Sequence, residues 1–397
     1  MSAATDRAIQ IDLDIMCYGG GEGYDYGDLK DYIRSRLDNS GANIVYVQVF
    51  SENFENISAD KDRMADYLLF DPGRGLNANV MNAHIFKAGV KIIRELLPNS
   101  RILVWTPSIY SAFLMEGNTV IKATEEAERD NGMWYRRASP FDALTHTRLA
   151  AFFEALGQSS EELDGIMFQD DLLMSNWEDV SEKGIQTMVQ RYGLVDTDDD
   201  SLNEFLNNDE DEKNQDWRRY KVQVLDDLSK EMFAAFRRGY QSAFPARFAM
   251  REKNDATRLL SARDYYDAAI LSRDAVTGDW YGQDVDTALD IYDQVVVMAY
   301  PNMCTGAAPA SKAALSWLKQ LATTGIAIAN RNGKQRAHKL IFKLQSVCWS
   351  YYPDGEDYII PAAVLQQQIK TLTDAGATGV GFYPALEGNA HFNMTSA

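Results

Sequence analysis

Two adjacent carboxylates, Asp170 and Asp171, close the segment Asp164-Gly165-Ile166-Met167-Phe168-Gln169, whose apolar centre has the length of a buried strand. Neighbouring acids in one cleft raise one another's pKa, so one can keep its proton near neutrality while a second stabilises developing charge. Cleavage of a glycosidic bond needs that division of labour. Side chains alternate along a strand. Ile166, Phe168 and Asp170 therefore share one side, and Met167, Gln169 and Asp171 the other. The Ile–Phe side suits packing against helices, which points Gln169 and Asp171 into an opening and favours Asp171 as the general acid. If the alternation breaks at the strand end, Asp170 takes the role. A plainer alternative is one Asp capping the next helix beside another paired with an Arg. The doublet by itself leans that way.

Related chemistry recurs at the ends of other strand-like runs. They finish in Asp12-Leu13-Asp14, Gln48-Val49-Phe50-Ser51-Glu52, Trp105-Thr106-Pro107, Ser261-Ala262-Arg263-Asp264-Tyr265-Tyr266, Met298-Ala299-Tyr300-Pro301, Lys343-Leu344-Gln345 and Gly381-Phe382-Tyr383-Pro384. Aromatic faces stack on sugar rings, and amides and carboxylates bond hydroxyls, so this is the equipment of a carbohydrate site. Asp12 and Asp14 alternate with Ile11 and Leu13 and should point to one face, which is unusual in a core. Trp105, Trp280, Trp349, Tyr300 and Tyr383 would serve equally as packing. Cys304 has no His nearby in sequence and makes a poor nucleophile candidate.

The elements that must carry these residues alternate in type. Strand-like runs fall at Ile9–Met16, Asn43–Phe50, Arg101–Thr106, Gly165–Phe168, Leu259–Arg263, Gln294–Tyr300, Lys339–Leu344 and Thr378–Tyr383. Helical patterns lie between them at Phe141–Leu156, Tyr220–Arg238 and Ala362–Ala375, the last closed by Gly376. Eight strands alternating with helices predict an α/β fold, a (β/α)8 TIM-like barrel, in which catalytic residues sit at the C-terminal strand ends. The competing fold is an open doubly wound sheet with a phosphate loop after its first strand. The run Gly19-Gly20-Gly21-Glu22-Gly23 stands there, but with Asp25 and Asp28 close by and no helix-opening GxGxxG. One barrel domain should fill residues 1–397, with its core at about 9–390. Asp196 to Glu212 carries nine acids and no base, so a solvated acidic surface insertion is expected over about 196–216.

Composition narrows the partners. The 397 residues are 46% hydrophobic and 24% charged, an ordinary globular balance. Lys plus Arg number 39 against 58 Asp plus Glu, a net charge of −19. Such a surface repels phosphate backbones and anionic lipids, which argues against nucleic-acid and membrane-surface binding, and it attracts cations. Solubility alone is the simpler explanation. Three dispersed cysteines and four histidines without ligand spacing predict no metal site and no cofactor. No apolar run approaches the ~20 residues of a membrane span. The N-terminus shows no signal peptide, so a cytoplasmic protein or a trimmed chain is expected.

In order and spacing, these segments resemble the C-terminal glycoside-hydrolase domain of the poly-β-1,6-N-acetylglucosamine deacetylase/hydrolase proteins of biofilm export systems (PgaB-type, glycoside hydrolase family 153). The resemblance runs from about Ile9 to about Pro384. It is carried by Ile11 to Asp14, Val45 to Gln48, Ser139 to Asp142, Asp164 to Ile166 with Phe168 and Asp170-Asp171, Ser175 with Glu178-Asp179, Ser261 to Arg263 before Trp280, and Tyr292-Asp293. Met298-Ala299 with Pro301, Leu344-Gln345 with Trp349, and Phe382 to Pro384 complete it.

The resemblance implies a barrel with an electronegative groove and endo-cleavage of partially de-N-acetylated β-1,6-glucosamine polymers, a cationic amino-sugar polysaccharide. It implies acid/base work at Asp170-Asp171, a groove using Asp12, Asp14, Gln48, Trp105, Arg263, Tyr300, Gln345 and Tyr383, and a cell-envelope or secreted setting. The strand-end reading adds Glu52 and Gln169. An N-acetylated sugar at the cleavage point could supply its acetamido oxygen as nucleophile. The chain departs from the family pattern at Gln169, where a His is usual, in Ala385-Leu386-Glu387, around Phe244 to Thr257 and at the acidic stretch. Lacking a metal-ligand His pair, it is not expected to deacetylate. The alternatives are a non-catalytic binding or export protein for a cationic polysaccharide, or a barrel hydrolase of another amino-sugar polymer.

Overall fold

The computed structural model describes residues 6–17, 26–52, 64–73, 76–131, 136–271, 281–348 and 358–386. The run at 19–23, Asp25, Trp280, Trp349 and Glu387 lie outside the described residues. Eight parallel strands form a closed ring: β1 (Asp6–Ile11), β2 (Ile44–Gln48), β3 (Arg101–Thr106), β4 (Gly165–Phe168), β5 (Leu260–Tyr265), β6 (Gln294–Ala299), β7 (Leu340–Gln345) and β8 (Gly379–Tyr383). Each pairs with its neighbours in chain order, and β8 returns to β1 with Ile9 opposite Phe382. Each of the seven connections carries at least one helix, among them α1 (Tyr26–Leu37), α2 (Ile85–Leu96), α3 (Ala143–Gln158), α4 (Glu212–Ala243), α5 (Val285–Ile291), α6 (Lys312–Ala329) and α7 (Ala362–Asp374). This is the expected (β/α)8 barrel. Its strands read as nearly continuous apolar runs because both faces are covered; β2, β4 and β6 are buried throughout.

The element limits move for local reasons. β1 starts three residues before the expected Ile9 and stops at Ile11, because Asp14–Cys17 winds into a 3-10 turn. Asp12 and Asp14 therefore do not alternate along a strand. β5 runs two residues past Arg263, to Tyr265. α4 extends well beyond Tyr220–Arg238 and is capped by Asp211, whose side chain accepts from the Lys213 N–H. Its backbone meets that of α3 where side chains are missing. A Cβ on Gly157 would stand 2.1 Å from the Phe236 carbonyl oxygen, and one on Gly239 would stand 1.9 Å from that of Glu154. This contact locks α4 against the barrel wall.

Part of the acidic stretch forms a helix, Asp199–Asn207, capped by Asp198. Its Leu202, Phe205 and Leu206 pack with Met188 and Trp217 in a small second core, and Phe141 stacks on Trp217 at 5.3 Å. Asp198, Asp199 and Asp200 crowd the helix N-terminus, where the backbone dipole favours negative charge.

The N-terminal end of the barrel is closed by ion pairs. Asp164, just before β4, accepts from Arg94 Nη2 at 2.6 Å, Arg251 Nη1 at 2.6 Å and the Ile102 N–H at 2.8 Å.

Candidate active site

Strand register decides which side chains meet on the barrel axis. Gln48, Trp105, Met167, Ala262 and Gln294 are successive partners around the ring and share a face. That face is the interior: Tyr46 donates across the barrel to Gln294 Oε1 at 3.0 Å, and Lys343 reaches Asp264 at 2.6 Å and Gln10 Oε1 at 3.3 Å. At the C-terminal strand ends the same phase brings together Gln48, Trp105, Gln169, Asp264, Lys343 and Tyr383, with Asp12 following β1.

The doublet after β4 divides. The strand ends at Phe168, and a turn follows in which the Leu173 N–H donates to the Asp171 carbonyl at 2.8 Å. Alternation no longer holds there. Asp171 is fully buried. Its carboxylate accepts from the Ser108 N–H at 3.0 Å and the Tyr110 N–H at 3.0 Å. Burial raises its pKa to about 8 and the charge of Asp170 adds to the rise, while the N–H groups of Ser108, Tyr110 and Ile109 pull it down. This correction reverses the preference for Asp171 as the group facing the opening. Asp170 is the half-buried member, and its Oδ2 accepts from the Tyr266 hydroxyl at 2.6 Å.

Around Asp170 the mouth is acidic and short of hydrogen-bond partners. Asp12 is pushed up to about 8, chiefly by burial and then by the charge of Asp14, against the Tyr383 hydroxyl and the charges of Lys343 and Arg36. Asp264 is raised to about 6 by burial; Lys343 opposes the rise and the charge of Asp170 adds to it. Asp12 Oδ1, Trp105 Nε1, Gln169 Oε1 and Asp264 Oδ1 are buried with no hydrogen-bond partner among the described residues. Buried polar atoms are rarely left so, and all four belong to residues of the interior phase at the C-terminal end of the barrel. Trp105 meets Tyr383 edge-on at 5.7 Å, which supplies apolar ring surface.

The remaining expected contacts fall into two groups. Tyr300 stays at the rim, packed with Leu173, Tyr266 and Met298. Asp14 accepts from Ser51 at 2.9 Å, and Gln48 Oε1 accepts from the Leu13 N–H at 3.1 Å, so both brace the segment after β1. Glu52 is buried and accepts from the Tyr110 hydroxyl. Gln345 shares the interior phase of Lys343 and Tyr383, is fully buried, and donates to the Val347 carbonyl at 2.8 Å. Arg263 is corrected. It lies one residue out of phase with Asp264, on the helix side of β5, paired with Asp226 of α4 at 3.0 Å.

Asp264, Lys343 and Tyr266 were not selected from sequence. A period-two count along β5 would have found Asp264, whereas its Lys343 partner lies 79 positions away. Among the described residues no group of three or more His, Cys, Asp or Glu is arranged to hold a metal ion, and no helix is long and apolar enough to cross a membrane.

A family model described as hypothetical glycosyl hydrolase family 13 matches residues 10–383. The poly-β-1,6-N-acetyl-D-glucosamine N-deacetylase of Escherichia coli K12 is 28% identical over 384 residues, covering 95% of this chain and 49% of that protein. The chain thus spans about half the length of the curated relatives it matches. The PgaB (BpsB) glycoside hydrolase domain from Bordetella bronchiseptica superposes with a TM-score of 0.72 at 23% identity, covering 98% of this chain and 95% of that one. The catalytic domain of a β-amylase from Paenibacillus polymyxa shares the fold at a TM-score of 0.52 and 11% identity, covering 97% and 94%.

Proposed function

The chain belongs to hypothetical glycosyl hydrolase family 13, and from that premise we propose that this glycoside hydrolase cleaves within partially de-N-acetylated β-1,6-glucosamine polymers, with Asp170 as proton donor. The observation that carries the assignment is the division of the doublet: Asp171 spends its oxygens on buried backbone, while Asp170 stands at the mouth against Tyr266. Asp170 gives its proton to the bridging oxygen as the bond to the anomeric carbon breaks. Positive charge grows on the ring, and the acetamido oxygen of an N-acetylated sugar closes on the anomeric carbon from the opposite face. Water adds to the anomeric carbon and opens that intermediate, returning a proton to the Asp170 carboxylate. The deficit of hydrogen-bond partners at Asp12, Gln169 and Asp264 suits ring hydroxyls and the amide. The net charge of −19 favours a polymer carrying free ammonium groups.

The test is incubation of the protein with partially de-N-acetylated poly-β-1,6-N-acetylglucosamine, beside fully acetylated polymer and a galactosamine-containing polymer, with products read by mass spectrometry. Internal cleavage of the first, lost in Asp170→Asn, is the expected result. An intact first polymer, or cleavage confined to the galactosamine polymer, overturns the substrate. An Asp170→Asn variant as fast as the wild type overturns the proton donor.

A further inference from the structure

The segment between β4 and Glu182 carries Asp170, and buried cations hold its carbonyls. Arg137 donates to the Leu173 carbonyl at 2.6 Å and to Glu178 at 2.7 Å. Lys221 of α4 donates to the carbonyls of Ser175 and Glu178. Lys221 grips the far part of the segment, and Arg137 spans both parts. Arg263 grips the near part: its Nη2 donates to the Leu172 carbonyl at 2.6 Å, two residues from Asp170. Its Nη1 bonds Asp226 at 3.0 Å and the Tyr292 hydroxyl at 3.3 Å, and its guanidinium lies 4.8 Å from the centre of the Tyr265 ring. Arg263 is 1% exposed and Asp226 2%.

A buried ion pair costs desolvation that well-packed apolar side chains would not. This pair achieves something an apolar pair would not, a directed bond to one carbonyl. Asp171 ties the same turn to the Ser108–Tyr110 backbone on the β3 side. The turn is thus held at Asp171, Leu172 and Leu173, with Asp170 at its edge, and of the two cations Arg263 holds the carbonyl nearer Asp170.

We propose that Arg263 and Asp226 are positioning residues, which set the Asp170 carboxyl against the scissile oxygen by fixing the Leu172 carbonyl to β5 and α4. The proposal rests on Asp170 being the proton donor. Neither residue touches substrate. Their effect therefore depends on how much the leaving group needs a proton.

The experiment compares wild type, Arg263→Lys, Asp226→Asn and Asp170→Asn on the polymer and on a 2,4-dinitrophenyl glycoside of the same sugar, whose leaving group departs unprotonated. For Arg263→Lys and Asp226→Asn, kcat on the polymer should fall about 10- to 100-fold with little change in KM, and kcat/KM on the aryl glycoside, which covers only the departure of the aryl group, should stay near wild type. Asp170→Asn should show the same selectivity, more steeply. Equal losses on both substrates, or none on either, would overturn the positioning role while Asp170 still loses polymer cleavage. A fully active Asp170→Asn would instead overturn the underlying reading. If Arg263→Lys does not fold, Asp226→Asn decides alone, since it keeps an acceptor for the guanidinium.

Discussion

The two ends of β4 carry carboxylates under opposite regimes. Asp164, below the strand, has both oxygens engaged by Arg94, Arg251 and the Ile102 N–H. Above the strand, Asp170 meets Tyr266, and nearby Asp12 Oδ1, Gln169 Oε1 and Asp264 Oδ1 lack partners among the described residues. The lower end neutralises its charge within the fold, so removing one partner would leave the others buried and uncompensated. The upper end keeps acid and unpaired acceptors at a cost in stability, as a ligand-binding end would. Position relative to the strand, more than residue type, separates the structural acid from the proposed proton donor.

The largest effect that would sharpen this contrast is Asp170→Asn, which should lower kcat on the polymer by about 10²–10⁴-fold and leave the melting temperature unchanged. A stable variant with wild-type turnover would erase the distinction. Asp164→Asn should do the reverse. It leaves Arg94 and Arg251 without their shared charge, so the protein should lose about 3 kcal/mol of stability by denaturant titration, with kcat intact below the transition. If Asp164→Asn instead lowers kcat in fully folded protein, the two ends are coupled and the contrast fails.

The same difference explains what could be read from the sequence. β3 and β4 match the expected runs Arg101–Thr106 and Gly165–Phe168 because a strand buried on both faces writes itself as an apolar block. The barrel followed from counting such blocks. The site depends on phase, which apolar blocks do not carry. Arg263 and Asp264 are adjacent, yet one faces α4 and the other the barrel axis. Family likeness drew attention to the Arg, although alternation favours the Asp. Past Phe168 the chain turns, and alternation had nothing to say about Asp170 and Asp171. Lys343 is buried only because Asp264 meets it from another strand, a pairing that no local pattern reveals.

A third test lies within the doublet. Asp171→Asn puts an NH2 either at the Oδ1 place, facing the Ser108 N–H at 3.1 Å, or at the Oδ2 place, facing the N–H groups of both Ser108 and Tyr110. A buried donor set against a donor should cost about 1–3 kcal/mol. Chemical denaturation should show that loss, and any fall in turnover should be smaller than that of Asp170→Asn. If Asp171→Asn is as stable as wild type and the slower enzyme of the two, the roles within the doublet are exchanged.

The last test concerns Asp12, where ligand and fold make opposite demands. Burial and the charge of Asp14 raise its pKa to about 8, so the folded protein prefers the neutral carboxyl. The sign follows from linkage. Its contribution to stability is full below the ordinary value of 3.8 and is lost as pH climbs toward 8. Thermal melts of the wild type should therefore fall over that window by more than those of Asp12→Asn. A bound cation prefers the carboxylate and reverses the sign. A quaternised glucosamine oligomer, whose charge does not titrate, should bind more tightly as pH rises toward 8. Calorimetry in buffers of different ionisation enthalpy should show the accompanying proton release. In Asp12→Asn both the pH dependence and the released proton should disappear. If binding instead weakens with pH, or releases no proton, Asp12 does not meet the ammonium, and the upper end of the barrel is completed by hydroxyl and amide groups alone.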